Sequence, residues 1–166
     1  MDATLEFLAF AAVNNLKAAG LTVATAESCT GGLVAAALTG VPGASAAFRY
    51  GWVTYCNEAK ARELNVPAAL IEEHTVVSEP VVAAMAENAM RKAGADLAIA
   101  ISGNAGPTAA EGEPPVGTVC IALSRRGAAR PTHTETLFRP GMDRNAFRTM
   151  AAARALELIA GATRAE

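Results

Sequence analysis

Leu21-Thr22-Val23-Ala24-Thr25-Ala26-Glu27-Ser28-Cys29-Thr30-Gly31-Gly32-Leu33-Val34-Ala35-Ala36-Ala37-Leu38 passes from a β-like run into a helical one through a turn crowded with polar atoms. Leu21 to Ala24 reads as a strand and Leu33 to Leu38 as a helix. A strand handed to a helix in this way is the opening unit of an α/β fold. The turn between them carries the Glu27 carboxylate, the Ser28 and Thr30 hydroxyls and the Cys29 thiol. Unpaired N–H groups at a helix start are suited to an anion or a developing oxyanion. The same residues also make an ordinary capped turn. Locally, both readings stay open.

Outward from this turn, helices and strands alternate. Leu5, Leu8, Ala9, Ala12, Val13 and Leu16 recur at three- and four-residue spacings, which predicts a helix over 3–19 stopped by Gly20. After the turn, the helix ends near Thr39-Gly40-Val41-Pro42-Gly43 and a strand spans 46–55, with Gly51 marking a bulge or a close approach. Asn57 caps a short helix to Leu64, and a second covers 68–73. His74 to Ser78 is a turn, from which Ser78 and Pro80 start a helix running to Lys92. The unbroken apolar run over 96–102 predicts a strand buried on both faces. A polar loop over 103–115, strands over 116–124 and 132–138, and a helix over 144–159 complete the chain. The expectation is a three-layer α/β/α sandwich: a mixed β-sheet with helices on both faces.

The 166 residues fit a single domain covering 1–166, with no internal repeat or linker. Hydrophobic content of 52% against 18% charged residues is that of a folded protein. A net charge of −2 gives no case for a nucleic-acid partner. No apolar run is long enough for a membrane span, and the acidic start lacks the basic region of a signal peptide, so a cytoplasmic location is expected. Cys29, Cys56 and Cys120 form no Cys-x-x-Cys pair and suggest neither a disulfide framework nor a zinc site.

Groups able to move protons are few: His74, His133, Lys17, Lys60 and Lys92. Lys17 and Lys92 sit in the last turns of predicted helices, where a cation suits the helix dipole. Lys60 lies near the start of one, against the dipole, inside the polar cluster Thr54-Tyr55-Cys56-Asn57-Glu58-Ala59-Lys60. If Ser28 is a nucleophile it needs a base, either a histidine or a lysine with a lowered pKa. Cys29 is a rival nucleophile, because a helix N-terminus favours a thiolate, and equally a small core residue. The loop Ser102-Gly103-Asn104-Ala105-Gly106-Pro107 exposes backbone N–H groups suited to a phosphate, and Arg144 and Arg148 share one face of the last helix.

Taken in order, these stretches resemble the C-terminal domain family of the competence-damage-inducible protein CinA, whose stand-alone members include nicotinamide-nucleotide amidases. The resemblance is carried by 25–32, 53–60, Val77-Ser78-Glu79, 102–107, 115–119 and Asp143-Arg144 with Arg148. It implies hydrolysis of the carboxamide of nicotinamide mononucleotide, without a metal or other cofactor. It also implies Ser28 as nucleophile, Lys60 as general base and Tyr55 as an assisting hydroxyl. Glu27, Cys29, Thr30, Gly31, Gly32, Asn57, Gly103, Asn104, Ala105, Gly106, Arg144 and Arg148 are the expected substrate-binding set, with Cys29 to Gly31 supplying oxyanion N–H groups. A homodimer is expected. The chain departs from the family pattern at Cys56, Asn104, Met142 and Thr108-Ala109-Ala110, where Ser, an aliphatic residue, Gly and further glycines are usual. These departures motivate the alternative of a non-catalytic nucleotide- or partner-binding module linked to competence or stress physiology.

Overall fold

The computed structural model describes residues 2–163. Strands β1 (Val23–Glu27), β2 (Phe48–Val53), β3 (Leu97–Gly103), β4 (Thr118–Arg125) and β5 (His133–Phe138) form one sheet in the order β2-β1-β3-β4-β5. β1 runs parallel to both β2 and β3, and the β3–β4 and β4–β5 pairs are antiparallel, so the sheet is mixed as expected. Helices α1 (Ala3–Ala19), α2 (Leu33–Thr39) and α6 (Arg144–Gly161) cover one face. Helices α3 (Asn57–Leu64), α4 (Ala68–His74) and α5 (Glu79–Ala93) cover the other. The result is a three-layer α/β/α sandwich.

Side-chain size assigns the faces. Along β3 and β4 the strand period sends Leu97, Ile99, Ile101, Val119, Ile121 and Leu123 to the side of α1, α2 and α6. The alternate positions Ala98, Ala100, Cys120 and Ala122, with Ala24 and Ala26 of β1, face α5. Small residues on that face let α5 bring Val81, Val82, Met85, Ala86 and Ala89 close against the strands. The alanine-rich composition is thus the signature of a closely packed helix–sheet layer.

Several boundaries differ from the sequence expectation. β1 starts at Val23 and continues through Thr25, Ala26 and Glu27, all buried, because flanking strands on both sides extend its ladder. The irregularity in β2 falls at Arg49, between the Val23–Phe48 and Ala24–Tyr50 pairs, and not at Gly51. Gly51 is instead the close approach: a Cβ there would lie 2.9 Å from Thr25 Oγ1 and 3.1 Å from the Phe48 ring. Cys56, rather than Asn57, occupies the N-cap position of α3. His74 ends α4 instead of opening the turn after it.

Topology places the site. From β1 the chain crosses through α2 to β2 on one side, then returns through α3, α4 and α5 to β3 on the other. The carboxyl ends of β2, β1 and β3 therefore splay around a crevice of the kind where α/β sheets bind ligands. Ser28, Thr54 and Asn104 directly follow those three strands.

Candidate active site

The turn after β1 is built around Glu27. Its carboxylate is buried and accepts the N–H groups of Gly32 (3.0 Å), Val34 (3.1 Å) and Ala35 (2.9 Å) at the start of α2. A negative charge is well placed at a helix N-terminus, and such bonds to an ion are stronger than neutral ones. Gly31 and Gly32 adopt φ of 61° and 96°, in the left-handed region that favours glycine. Arg148 of α6 closes the turn from above: its Nε donates to Cys29 O and its Nη2 to Thr30 O, each at 3.0 Å. Glu27→Gln keeps the shape, removes the charge and turns one acceptor oxygen into an NH2 donor, so at least one of the three bonds is lost. Its expected cost is about 2 kcal/mol of stability, read as a shift of the urea midpoint.

This frame leaves Ser28 at the crevice, 8% exposed. Lys60 Nζ stands 3.2 Å from Ser28 Oγ and donates to Thr54 O at 2.8 Å. Lys60 is fully buried, on the first turns of a helix whose other buried side chain is Leu64. Burial lowers the Lys60 pKa from the ordinary lysine value, and the Cys56 and Cys29 thiols and Glu113 oppose it. No ion pair of Lys60 with a carboxylate occurs among the described residues. A lysine whose proton is loosened by burial, touching a hydroxyl, is a candidate base beside a nucleophile.

Cys29 has the opposite character. Its thiol is packed in the core and pushed up to about 12 by burial, so it stays protonated near neutrality. The turn's amides are also differentiated. Ser28 N–H donates to Ile101 O, Gly31 N–H to Ser28 O and Gly32 N–H to Glu27. That of Thr30 has no acceptor among the described residues, and that of Cys29 meets its own thiol. Of the three amides Cys29–Gly31, that of Gly31 is thus engaged within the turn.

A cleft of about 270 Å³ opens over the pair, lined in part by Ser28, Cys29, Lys60, Tyr55, Asn57 and Arg144. Gly103, Asn104, Ala105 and Gly106 of the β3–β4 loop line it too. At its rim Arg144 donates from Nη2 to the Tyr55 hydroxyl at 2.9 Å and from Nη1 to Gly106 O. Asn104 spends its amide on the loop itself, accepting from Gly106 N–H at 3.1 Å and donating to Pro114 O at 3.2 Å. Broader hollows of about 460 and 530 Å³ lie elsewhere and contain neither Ser28 nor Lys60.

Of the expected substrate-binding set, Glu27, Thr30, Gly31, Gly32 and Arg148 fall outside the lining. Their contacts shape the turn beside the cleft. Conversely, the lining includes Val76, Val77, Ser102 and Thr108, which lie outside the expected binding set. Among the described residues, no three or more His, Cys, Asp or Glu side chains gather as a metal set. No helix among them is long and apolar enough to cross a membrane.

An α/β sandwich with a buried serine–lysine pair at the carboxyl ends of its parallel strands defines the class. The chain belongs to the CinA C-terminal domain family, whose model matches residues 5–163. A CinA-like protein of Akkermansia muciniphila is 49% identical over 156 residues, 94% of this chain and 37% of that protein. The chain spans about a third of the length of that relative and of the Symbiobacterium thermophilum protein it also matches. It is also 47% identical to the nicotinamide-nucleotide amidohydrolase PncC of Escherichia coli, over 87% of this chain and 86% of that one. The crystal structure of the competence/damage inducible protein CihA from Agrobacterium tumefaciens has a TM-score of 0.92 at 34% identity. That match covers 99% of this chain and 98% of the other.

Proposed function

We propose that the protein is an amidase that hydrolyses the carboxamide of nicotinamide mononucleotide to nicotinic acid mononucleotide and ammonia. The observation that carries the reading is the 3.2 Å contact between Lys60 Nζ and Ser28 Oγ at the floor of an open cleft. The likeness to the Escherichia coli amidohydrolase supports the substrate.

In this mechanism neutral Lys60 takes the Ser28 proton as Oγ attacks the carboxamide carbon. The tetrahedral oxyanion is met by the Thr30 and Cys29 amides at the start of α2. Lys60, now an ammonium, returns its proton to the departing nitrogen, and ammonia leaves. Water then attacks the Ser28 ester with Lys60 again as base, releasing the acid. Tyr55 and Arg144 stand together at the rim, where the hydroxyl assists proton transfer and the guanidinium binds the substrate phosphate. The reading extends to a cytoplasmic homodimer, and sedimentation of the purified protein as a monomer would refute its dimeric part.

Incubating the purified protein with nicotinamide mononucleotide should release ammonia in proportion to enzyme. Thermal stabilisation by pyridine nucleotides with no ammonia released would support the binding-module alternative and sink the amidase reading.

A further inference from the structure

The turn between α4 and α5 holds one of the two non-glycine residues with positive φ among the described residues. Thr75 has φ 65° and ψ 162°, a positive φ on a β-branched residue. Such a conformation is strained and persists only where neighbours enforce it. Here the enforcing bonds are explicit. Glu113, in the loop between β3 and β4, accepts Val76 N–H on Oε1 (3.1 Å) and Val77 N–H on Oε2 (3.4 Å). Ser102 Oγ donates to Val76 O at 2.8 Å from the end of β3, and Ser78 Oγ donates to Thr75 O at 2.9 Å. The loop that carries Glu113 is itself braced, by Glu113 N–H on Ala110 O and by Asn104 Nδ2 on Pro114 O. Asn104, one of the departures from the family pattern, thus supports the neighbour of the clasping residue.

Val76 and Val77, the two residues so held, line the cleft with Ser28 and Lys60. We propose that Glu113 is a positioning residue of the reaction: it clasps the strained segment 75–78 as one wall of the cleft and so keeps water from Lys60. The inference rests on the amidase reading for its kinetic consequence, but the clasp itself does not. Lys60 Nζ contacts the Ser28 hydroxyl and the Thr54 carbonyl and feels the charges of Cys56, Cys29 and Glu113 at longer range, with Tyr55 and Arg144 at the rim of the cleft. Burial is the largest influence on Lys60 and the Glu113 charge the smallest named, so the two effects of removing Glu113 have opposite signs. Loss of the charge alone would make Lys60 easier to deprotonate. Entry of water would make it harder, and this effect should dominate.

Glu113→Ala should therefore speed amide hydrogen exchange at Val76 and Val77 at least tenfold, measured without substrate. It should also move the acid limb of kcat/KM to higher pH, lowering kcat/KM by about tenfold for each pH unit the limb moves when measured at pH values below the limb. Glu113→Gln keeps one carbonyl acceptor, so it should change exchange in the same direction but less; it replaces the alanine variant if that one does not fold. Unchanged exchange at Val76 and Val77 overturns the clasp. Faster exchange with the limb unmoved, or moved down, overturns the positioning role. Absence of turnover in the unsubstituted protein refutes the amidase reading and leaves the exchange result standing.

Discussion

Lys60→Met is expected to reduce ammonia release from nicotinamide mononucleotide by 10³-fold or more, on the order expected for loss of a base that also activates the nucleophile. It is also expected to raise the melting temperature. The two effects share one cause. A lysine with no exposure and no ion-paired carboxylate among the described residues costs stability in its charged form, and the same cost lowers its pKa and makes it a better proton acceptor. Methionine has a similar length and no proton to lose, so it fills the space beside Leu64 and Thr54 without that cost. The pH dependence follows from the sign of the shift. Lys60 has a folded pKa below the ordinary 10.5, so the unfolded chain binds more protons between the two values. The cost is full below the folded pKa. It fades as pH rises from there to the unfolded value, so native stability climbs across that window. In Lys60→Met this contribution to the climb should be absent. Urea unfolding of both proteins at neutral pH and near pH 10 tests it. A variant less stable than the parent at neutral pH would show that Lys60 gains more from Ser28 and Thr54 than burial costs it.

Much of this arrangement can be read from the chain, for identifiable reasons. The apolar run over 96–102 has a strong local signature, and β3 is where it was expected. Lys60 stood out because its position near a helix start gave it no dipole reason to be there, and the structure finds it buried against Ser28. What escaped were interactions between distant segments. Glu27 and Arg148 look like ligand-binding residues by type, yet each spends its polar atoms on the turn's own backbone. Glu113 sits in a loop of no distinct pattern, and its role arises from contact with Val76 and Val77, some 36 residues away. A one-dimensional reading sees which residues have donors and acceptors. Whether a fold consumes them internally depends on long-range packing, as Asn104 shows by satisfying both ends of its amide within one loop.

Ser28→Ala should lower turnover by roughly 10⁵-fold, in the range found when a catalytic serine is removed, while Cys29→Ala should leave kcat within a few-fold of the parent. Adjacent residues on one turn can exchange roles in principle, so the contrast tests chemistry as well as position. Ser28 Oγ contacts the Lys60 amine, whose pKa burial lowers, whereas the Cys29 thiol is buried and pushed up to about 12. Removing that sulfur leaves a small gap beside Gly103, where an added Cβ would lie 2.9 Å from Cys29 Sγ, and should cost about 1 kcal/mol of stability. The expected pattern is therefore an inactive, stable Ser28→Ala and an active, weakened Cys29→Ala. Ser28→Ala should also still bind nicotinic acid mononucleotide, because Tyr55, Arg144 and the β3–β4 loop are untouched. Activity that survives in Ser28→Ala and disappears in Cys29→Ala would transfer the nucleophile to the thiol. It would also require the α2 N-terminus to stabilise a thiolate against its burial. The double variant separates that case from a general collapse of the turn, since Glu27 and Arg148 hold its backbone without either side chain.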